Sequence, residues 1–196
     1  MTGDIAAFVR RSSDRSDAAK PNHSNGMQTG PEMSFSGKSS IVILGMHRSG
    51  TSALARLCGI AGGKLPTRMV GADHGNELGH WEPAGINKLN DSTLQKLGRA
   101  WYDWRPLDWD VSGSGAREGY LEQFYTELAF DFEDIHFAVI KEPRLCVFAD
   151  AVLPALAARG VTSKIILPVR NPIEVCHSLK KRDQLSFESA ALLWLR

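Results

Sequence analysis

The chain has 196 residues, 43% of them hydrophobic and 23% charged, with 23 Lys and Arg against 22 Asp and Glu. That balance fits one soluble globular domain, and a net charge of +1 argues against a general nucleic-acid or membrane-surface binder. No apolar run approaches the roughly 18–20 residues of a membrane-spanning helix, and Cys58, Cys146 and Cys176 are too few and too scattered for a disulfide framework or a four-ligand zinc site, so a reduced, cytoplasmic setting is expected.

Residues 1–38 read as a disordered tail, because Ser, Gly, Asn, Asp and Pro dominate from Ser12 onward. The start has no long apolar core and no small-residue cleavage signature, so no secretory leader is expected; Ile5–Val9 is at most a fragment of helix. The folded domain is expected over 39–196. Ser40 to Gly45 is a continuous apolar run rich in β-branched residues and predicts a buried parallel strand. Gly45–Gly50 is a tight polar loop, and Thr51–Ile60 predicts a helix. Further helices are expected over Ala84–Leu97 and Ala116–Phe132, with a loop carrying Trp101, Trp104 and Trp109 between them. Phe137–Lys141 predicts a second buried strand. A helix over Cys146–Ala158 follows, ended by Gly160. Lys164–Val169 predicts a third strand. Asn171-Pro172 opens a helix to about Arg182, and Ser186 caps a last helix over Phe187–Arg196. Strands alternating with helices predict an α/β fold with a central parallel sheet.

Charge is unevenly placed. Residues 41–70 hold four bases and no acid, 71–150 hold 15 acids and 7 bases, and 164–196 hold 6 bases and 3 acids. If the fold joins the two basic segments, they share an anionic ligand; otherwise they are solvated surface.

The first basic segment contains Gly45-Met46-His47-Arg48-Ser49-Gly50-Thr51-Ser52, set between a predicted strand and a predicted helix. Backbone N–H groups and a helix N-terminus there suit an anion. The spacing matches the phosphate loop G-x-x-x-x-G-K-[ST], except that Thr51 stands where the lysine belongs and Arg48 supplies the charge. The second segment runs Leu167-Pro168-Val169-Arg170-Asn171-Pro172, with Ser178 eight residues after Arg170. Arg170 is expected at a strand end, where ligands of open α/β sheets sit.

Together, His-Arg-Ser-Gly-Thr-Ser after the first strand and Val-Arg-Asn-Pro followed by Ser178 resemble the sulfotransferases that use 3′-phosphoadenosine 5′-phosphosulfate (PAPS). Gly79-His80-Trp81-Glu82-Pro83, Leu89-Asn90-Asp91 and Lys141-Glu142-Pro143-Arg144 also resemble bacterial members, and the likeness spans Ile41–Arg196. The resemblance implies a P-loop-like three-layer α/β/α fold. It implies a 5′-phosphosulfate site at His47, Arg48, Ser49, Gly50, Thr51 and Ser52, and a 3′-phosphate site at Arg170 and Ser178. No metal is implied. Members continue past the 3′-phosphate segment with helices that close over adenine and acceptor; the chain stops at Arg196, so a truncated product or a completing partner is expected.

Sulfuryl transfer needs a base for the acceptor hydroxyl, in-line positioning, and a cation for the bridging oxygen. Arg48 and Lys141 suit the cation. For the base, Glu82 ranks first, Glu142 second, His80 third and Glu77 last. The tryptophan-rich loop either packs as core or lid or stacks a flat acceptor, for which a carbohydrate ranks first. Two other readings stay open: a P-loop nucleotide kinase or hydrolase, and a catalytically inactive nucleotide-binding domain.

Overall fold

A computed structural model describes residues 37–196 apart from 74, 111, 112 and 133. The expected tail, with its short apolar patch, lies outside the described residues except for 37 and 38. Among the described residues the chain forms three strands and six helices. Strand β1 (Ser39–Ile43) lies between β2 (Phe137–Lys141) and β3 (Thr162–Ile166), and both pairings are parallel. Ile43 stands opposite Lys141 on one side and Ile166 on the other. The strands therefore end level, and the loops that follow them gather along one edge of the sheet.

Period-two alternation divides the core. Val42, Ala138 and Ile140 face α2 (Ala84–Lys96), α3 (Ala116–Phe132) and α4 (Leu145–Ala158). Ile43 and Val139 face α1 (Thr51–Ile60) through Ala55 and Cys58. Covered on both faces, β1 needs an unbroken apolar run rather than an alternating one. Helices α5 (Pro172–Asp183) and α6 (Phe187–Leu195) pack on each other through Val175, Leu179 and Ala190, with Met46 and Trp101 against them. No described helix is long and apolar enough to cross a membrane.

The helix ends follow local chemistry. Gly160, just past α4, takes φ of 79°, open to it without a Cβ penalty. The Asn171 side chain accepts from the Ile173 N–H at 2.9 Å, and Ser186 Oγ accepts from the Ser189 N–H at 3.1 Å. The third strand corrects the expectation. It covers Thr162–Ile166 rather than Lys164–Val169. The strand is also largely exposed, with Ile165 at 53%. β3 pairs only with β1 among the described residues, and Pro168 has no N–H with which to extend a ladder. Arg170 consequently lies in the loop before α5, four residues past the strand.

Phe124 is fully buried in the larger core. Phe124→Ala is expected to cost about 3–5 kcal/mol in urea unfolding, and Leu78→Ala, at a 70% exposed position, under about 0.5 kcal/mol.

Candidate functional site

The loop after β1 makes the turn into α1 through two left-handed residues, Arg48 at φ 70° and Gly50 at φ 84°. Arg48 is not glycine, so this conformation is strained and must be held by its contacts. Gly45 is needed for space: a Cβ there would stand 2.8 Å from both Pro168 Cγ and Thr51 Cγ2. Gly50 occupies the cap position of α1, and no side chain caps that end. The first-turn N–H groups thus keep their usual capacity for an anion.

Arg48 joins the two basic segments. Its Nε donates to Ser178 Oγ at 2.8 Å and its Nη1 to the Gly75 carbonyl at 3.0 Å. Arg170 Nη1 donates to the Arg48 carbonyl at 3.1 Å, while Arg170 Nε reaches Glu174 at 2.8 Å. Burial, and then the charge of nearby Arg182, lowers the pKa of the Arg48 guanidinium. Arg182 lies on α5 one turn beyond Ser178, pairs with Asp183 at 2.8 Å and sits 5.9 Å from the Trp101 ring centre.

Lys141 arrives from the end of β2. Its Nζ donates to Glu82 Oε1 at 2.5 Å, to the His80 carbonyl at 3.1 Å and to Ser52 Oγ at 3.2 Å. These contacts occupy all three ammonium protons. Glu82 is also buried, and its Oε2 accepts from Asn87 Nδ2 at 2.9 Å. Ser52 Oγ also accepts from Asn76 Nδ2 at 3.1 Å. His80 Nε2 lies 2.9 Å from Asp73 Oδ2, and its Nδ1 lies 3.9 Å from Glu82 Oε1.

Two cavities that share lining residues open here. The smaller, about 220 Å³, is bounded by His47, Arg48, Gly50–Ala53, Lys141 and Arg170. The larger, about 820 Å³, reaches Trp101, Arg144, Ser178 and Lys181. His80, Glu82 and Arg182 line both. A third cavity of about 420 Å³ is mainly apolar and lies toward α6, lined by Met46, Leu167 and Trp194 among others.

Most of the expected site residues are brought together, but not all. Ser49 lines the apolar cavity, and its hydroxyl is buried without a hydrogen-bond partner. His47 borders all three cavities, with Nε2 buried and unpartnered. Burial, and then the charges of Arg144, Arg182, Lys141 and His80, hold its pKa well below the ordinary value. Glu142 points elsewhere. It is fully buried, accepting from Asn90 Nδ2 at 2.5 Å and Arg144 Nη1 at 2.6 Å, and Asn90 Oδ1 accepts from Tyr120 at 2.8 Å. Glu77 lines neither polar cavity. Trp101 borders the larger cavity, whereas Trp109 packs on Tyr120 and Phe148. Sequence reasoning passed over Arg182, Asp73, Asn76 and Asn87. Only Arg182 carried a signal, its spacing of four from Ser178 on one helix face.

Comparison of the chain with protein-family models, with curated proteins and with solved structures finds no match.

Burial raises the Glu142 pKa to about 7, against the opposing pull of Arg144. The folded state thus holds this proton more tightly than the unfolded chain. Stability from this group is fully present below the ordinary carboxylate range and is lost as pH rises through about 7. The expected loss over that window is roughly 3 kcal/mol. Chemical denaturation at a series of pH values should show this slope, and Glu142→Gln should flatten it.

Proposed function

We propose that the chain is a PAPS-dependent sulfotransferase domain with a P-loop-like three-layer fold, moving a sulfuryl group to an acceptor hydroxyl. The observation that carries this reading is the Arg48 junction. One guanidinium ties the strand-to-helix loop to Ser178, and Arg170 closes on the same residue's carbonyl. Two anion-suited segments, 122 residues apart between Arg48 and Arg170, thereby border one cavity system. A nucleotide with phosphates at both its 3′ and 5′ positions needs two such sites.

In this reading the 5′-phosphosulfate lies against the α1 N-terminus, with His47, Arg48, Gly50, Thr51 and Ser52 around it. The 3′-phosphate is taken by Arg170 and Ser178. Lys141 exchanges one of its three acceptors for the bridging oxygen and neutralises charge as the S–O bond breaks. Glu82, released from that contact, takes the acceptor proton. Each of its oxygens has one hydrogen-bond donor, which leaves a lone pair on each. Glu142 takes no part in this scheme because its carboxylate is sealed between Asn90 and Arg144. The larger cavity holds the acceptor. Its polar lining and the flanking Trp101 favour a carbohydrate, whose ring stacks on indole and whose hydroxyls find charged partners.

The alternative reading, a nucleotide kinase or hydrolase, would place its loop cation at position 51, where this chain has a buried threonine. An inactive nucleotide-binding domain would bind the same ligand without transfer. Thermal-shift titration with 3′,5′-phosphoadenosine (PAP) tests the site. PAP at a hundred times its dissociation constant is expected to add about 2.7 kcal/mol without metal, and Arg170→Ala should abolish that gain. Stabilisation by ATP with Mg²⁺ alone would move the chain to the kinase-like class. A response to neither ligand would overturn the nucleotide site.

A further inference from the structure

Glu82 lines both polar cavities, so a bound donor and acceptor would cover the face through which it meets water. Its side chain is 5% exposed, and its nearest cation, Lys141, is 2% exposed. A base that stays protonated stops after one turnover, so a buried carboxylate needs an exit for its proton. On one side of Glu82 stands Asn87, which only donates to it. On the other stands the His80 ring, whose Nδ1 is 3.9 Å from Glu82 Oε1. This gap is too long for a hydrogen bond and short enough for a side-chain rotation to close. The far edge of the ring meets Asp73 at 2.9 Å, and the Asp73 side chain is 60% exposed. The series Glu82–His80–Asp73 therefore runs from a buried carboxylate to water. His80 lines both polar cavities, so it stands beside the acceptor as well as the sulfuryl donor.

We propose that His80, oriented by Asp73, relays the acceptor's proton from Glu82 to water; the proposal rests on the transfer reading above. As the acceptor oxygen bonds to sulfur, its proton passes to Glu82 Oε1. The bridging S–O bond breaks, and its electron pair stays on the 5′-phosphate of PAP. Glu82 hands the proton to His80 Nδ1. The resulting imidazolium, paired with Asp73, loses its Nε2 proton to water at the exposed edge, and Glu82 is again a carboxylate. Once product leaves, proton exchange with water returns the ring to its Nε2–H form. Asp73 is suited to this pairing: the hydrogen bond to His80 is the largest influence lowering its pKa, which keeps it anionic. The anion also sets the order of events. Lys141 holds Glu82 Oε1 until a donor phosphosulfate draws its Nζ away, and only then is Oε1 free to turn toward His80. His80 acts through Glu82 and does not touch the sulfuryl group, so it is a positioning and relay residue.

The test uses the full chain labelled with ¹⁵N-histidine, with PAP as the probe. In the free protein the His80 ring is expected to carry its proton on Nε2, facing Asp73, and Asp73→Asn should change that tautomer signal. PAP is expected to shift the His80 Nδ1 resonance in the wild type and in no measurable degree in Glu82→Gln. If PAP binds, as judged by thermal shift, and the Nδ1 signal stays where it was, the relay is overturned while the nucleotide site stands. If PAP does not bind, both are overturned. In sulfuryl transfer from PAPS, His80→Ala should lower kcat about 10²-fold with KM for PAPS unchanged, and added imidazole should restore much of the loss. Loss without imidazole rescue would mean that His80 only packs the site.

Discussion

The buried Lys141–Glu82 ion pair is the contact on which the rest of the site depends. Two desolvated charges are tolerable only when paired and hydrogen-bonded. Lys141 meets that condition by drawing two separate segments to one nitrogen: the first turn of α1 through Ser52, and the stretch just before α2 through the His80 carbonyl and Glu82. Removing either partner would leave an uncompensated buried charge, a loss of about 3–5 kcal/mol. So large a constraint fixes where the end of β2 stands relative to the loop after β1. It does the same for the long connection between α1 and α2, which has only isolated bridges of its own, such as Met69 with Pro83. The Lys64 bridge to β2, Arg68 on Asp131 and Glu127, and Asn76 on Ser52 hold other parts of the same connection.

Most of the architecture was legible because local rules agree with tertiary ones in this chain. The apolar run before Gly45, the Asn171-Pro172 and Ser186 caps and the Gly160 stop each specify an element without reference to the rest. Val169 was misleading. Its β-branched side chain suggested a longer strand, yet Pro168 interrupts the ladder and Val169 is 73% exposed. The residues of the site divide in the same way. The tight turn after β1 was readable because backbone geometry demands glycine there at a fixed spacing, whereas Arg170 was expected at a strand end and lies in the loop before α5. Asp73, Asn76 and Asn87 were not readable, because no periodicity links them to the loop they meet; only the three-dimensional path does. Glu142 shows the converse hazard. It adjoins Lys141 in sequence, but it lies just past the end of β2 and its side chain turns inward to Asn90 and Arg144. One side chain enters the cavity and the other enters the core.

Electrostatics explains why this edge of the sheet suits an anion. Arg48, Lys141, Arg170 and Arg182 all border the smaller cavity, with Glu82 as the acid among its lining residues. Each cation leans on a substitute acceptor. Arg48 uses a serine and a carbonyl, Arg170 a carbonyl and Glu174, Arg182 its neighbour Asp183, and Lys141 the three groups above. Such contacts hold the side chains in place at modest strength, and a multiply charged ligand offers a stronger partner to several at once. The lowered pKa of Arg48, caused first by burial and then by Arg182, has the same origin. Positive charges crowd a partly desolvated space, and an anion would relieve that crowding.

The substitution at position 51 then acquires a physical meaning. In a phosphate loop of the usual pattern the lysine rises from the first turn of the helix and reaches the phosphates from beneath. Here Thr51 is buried at that turn, and the ammonium reaches the neighbouring hydroxyl, Ser52 Oγ, from the end of the adjacent strand instead. Both routes bring a cation to the same helix N-terminus. They differ in what accompanies it. A lysine from the loop brings no base, whereas Lys141 comes with Glu82 attached at 2.5 Å and His80 beyond. Drawing the cation toward a bound anion would uncover the carboxylate in the same movement. Charge neutralisation at a leaving oxygen and proton removal from an attacking one would then be linked through a single hydrogen bond. That coupling would serve the transfer proposed above, and it would follow from moving one positive charge from the loop to the strand beside it.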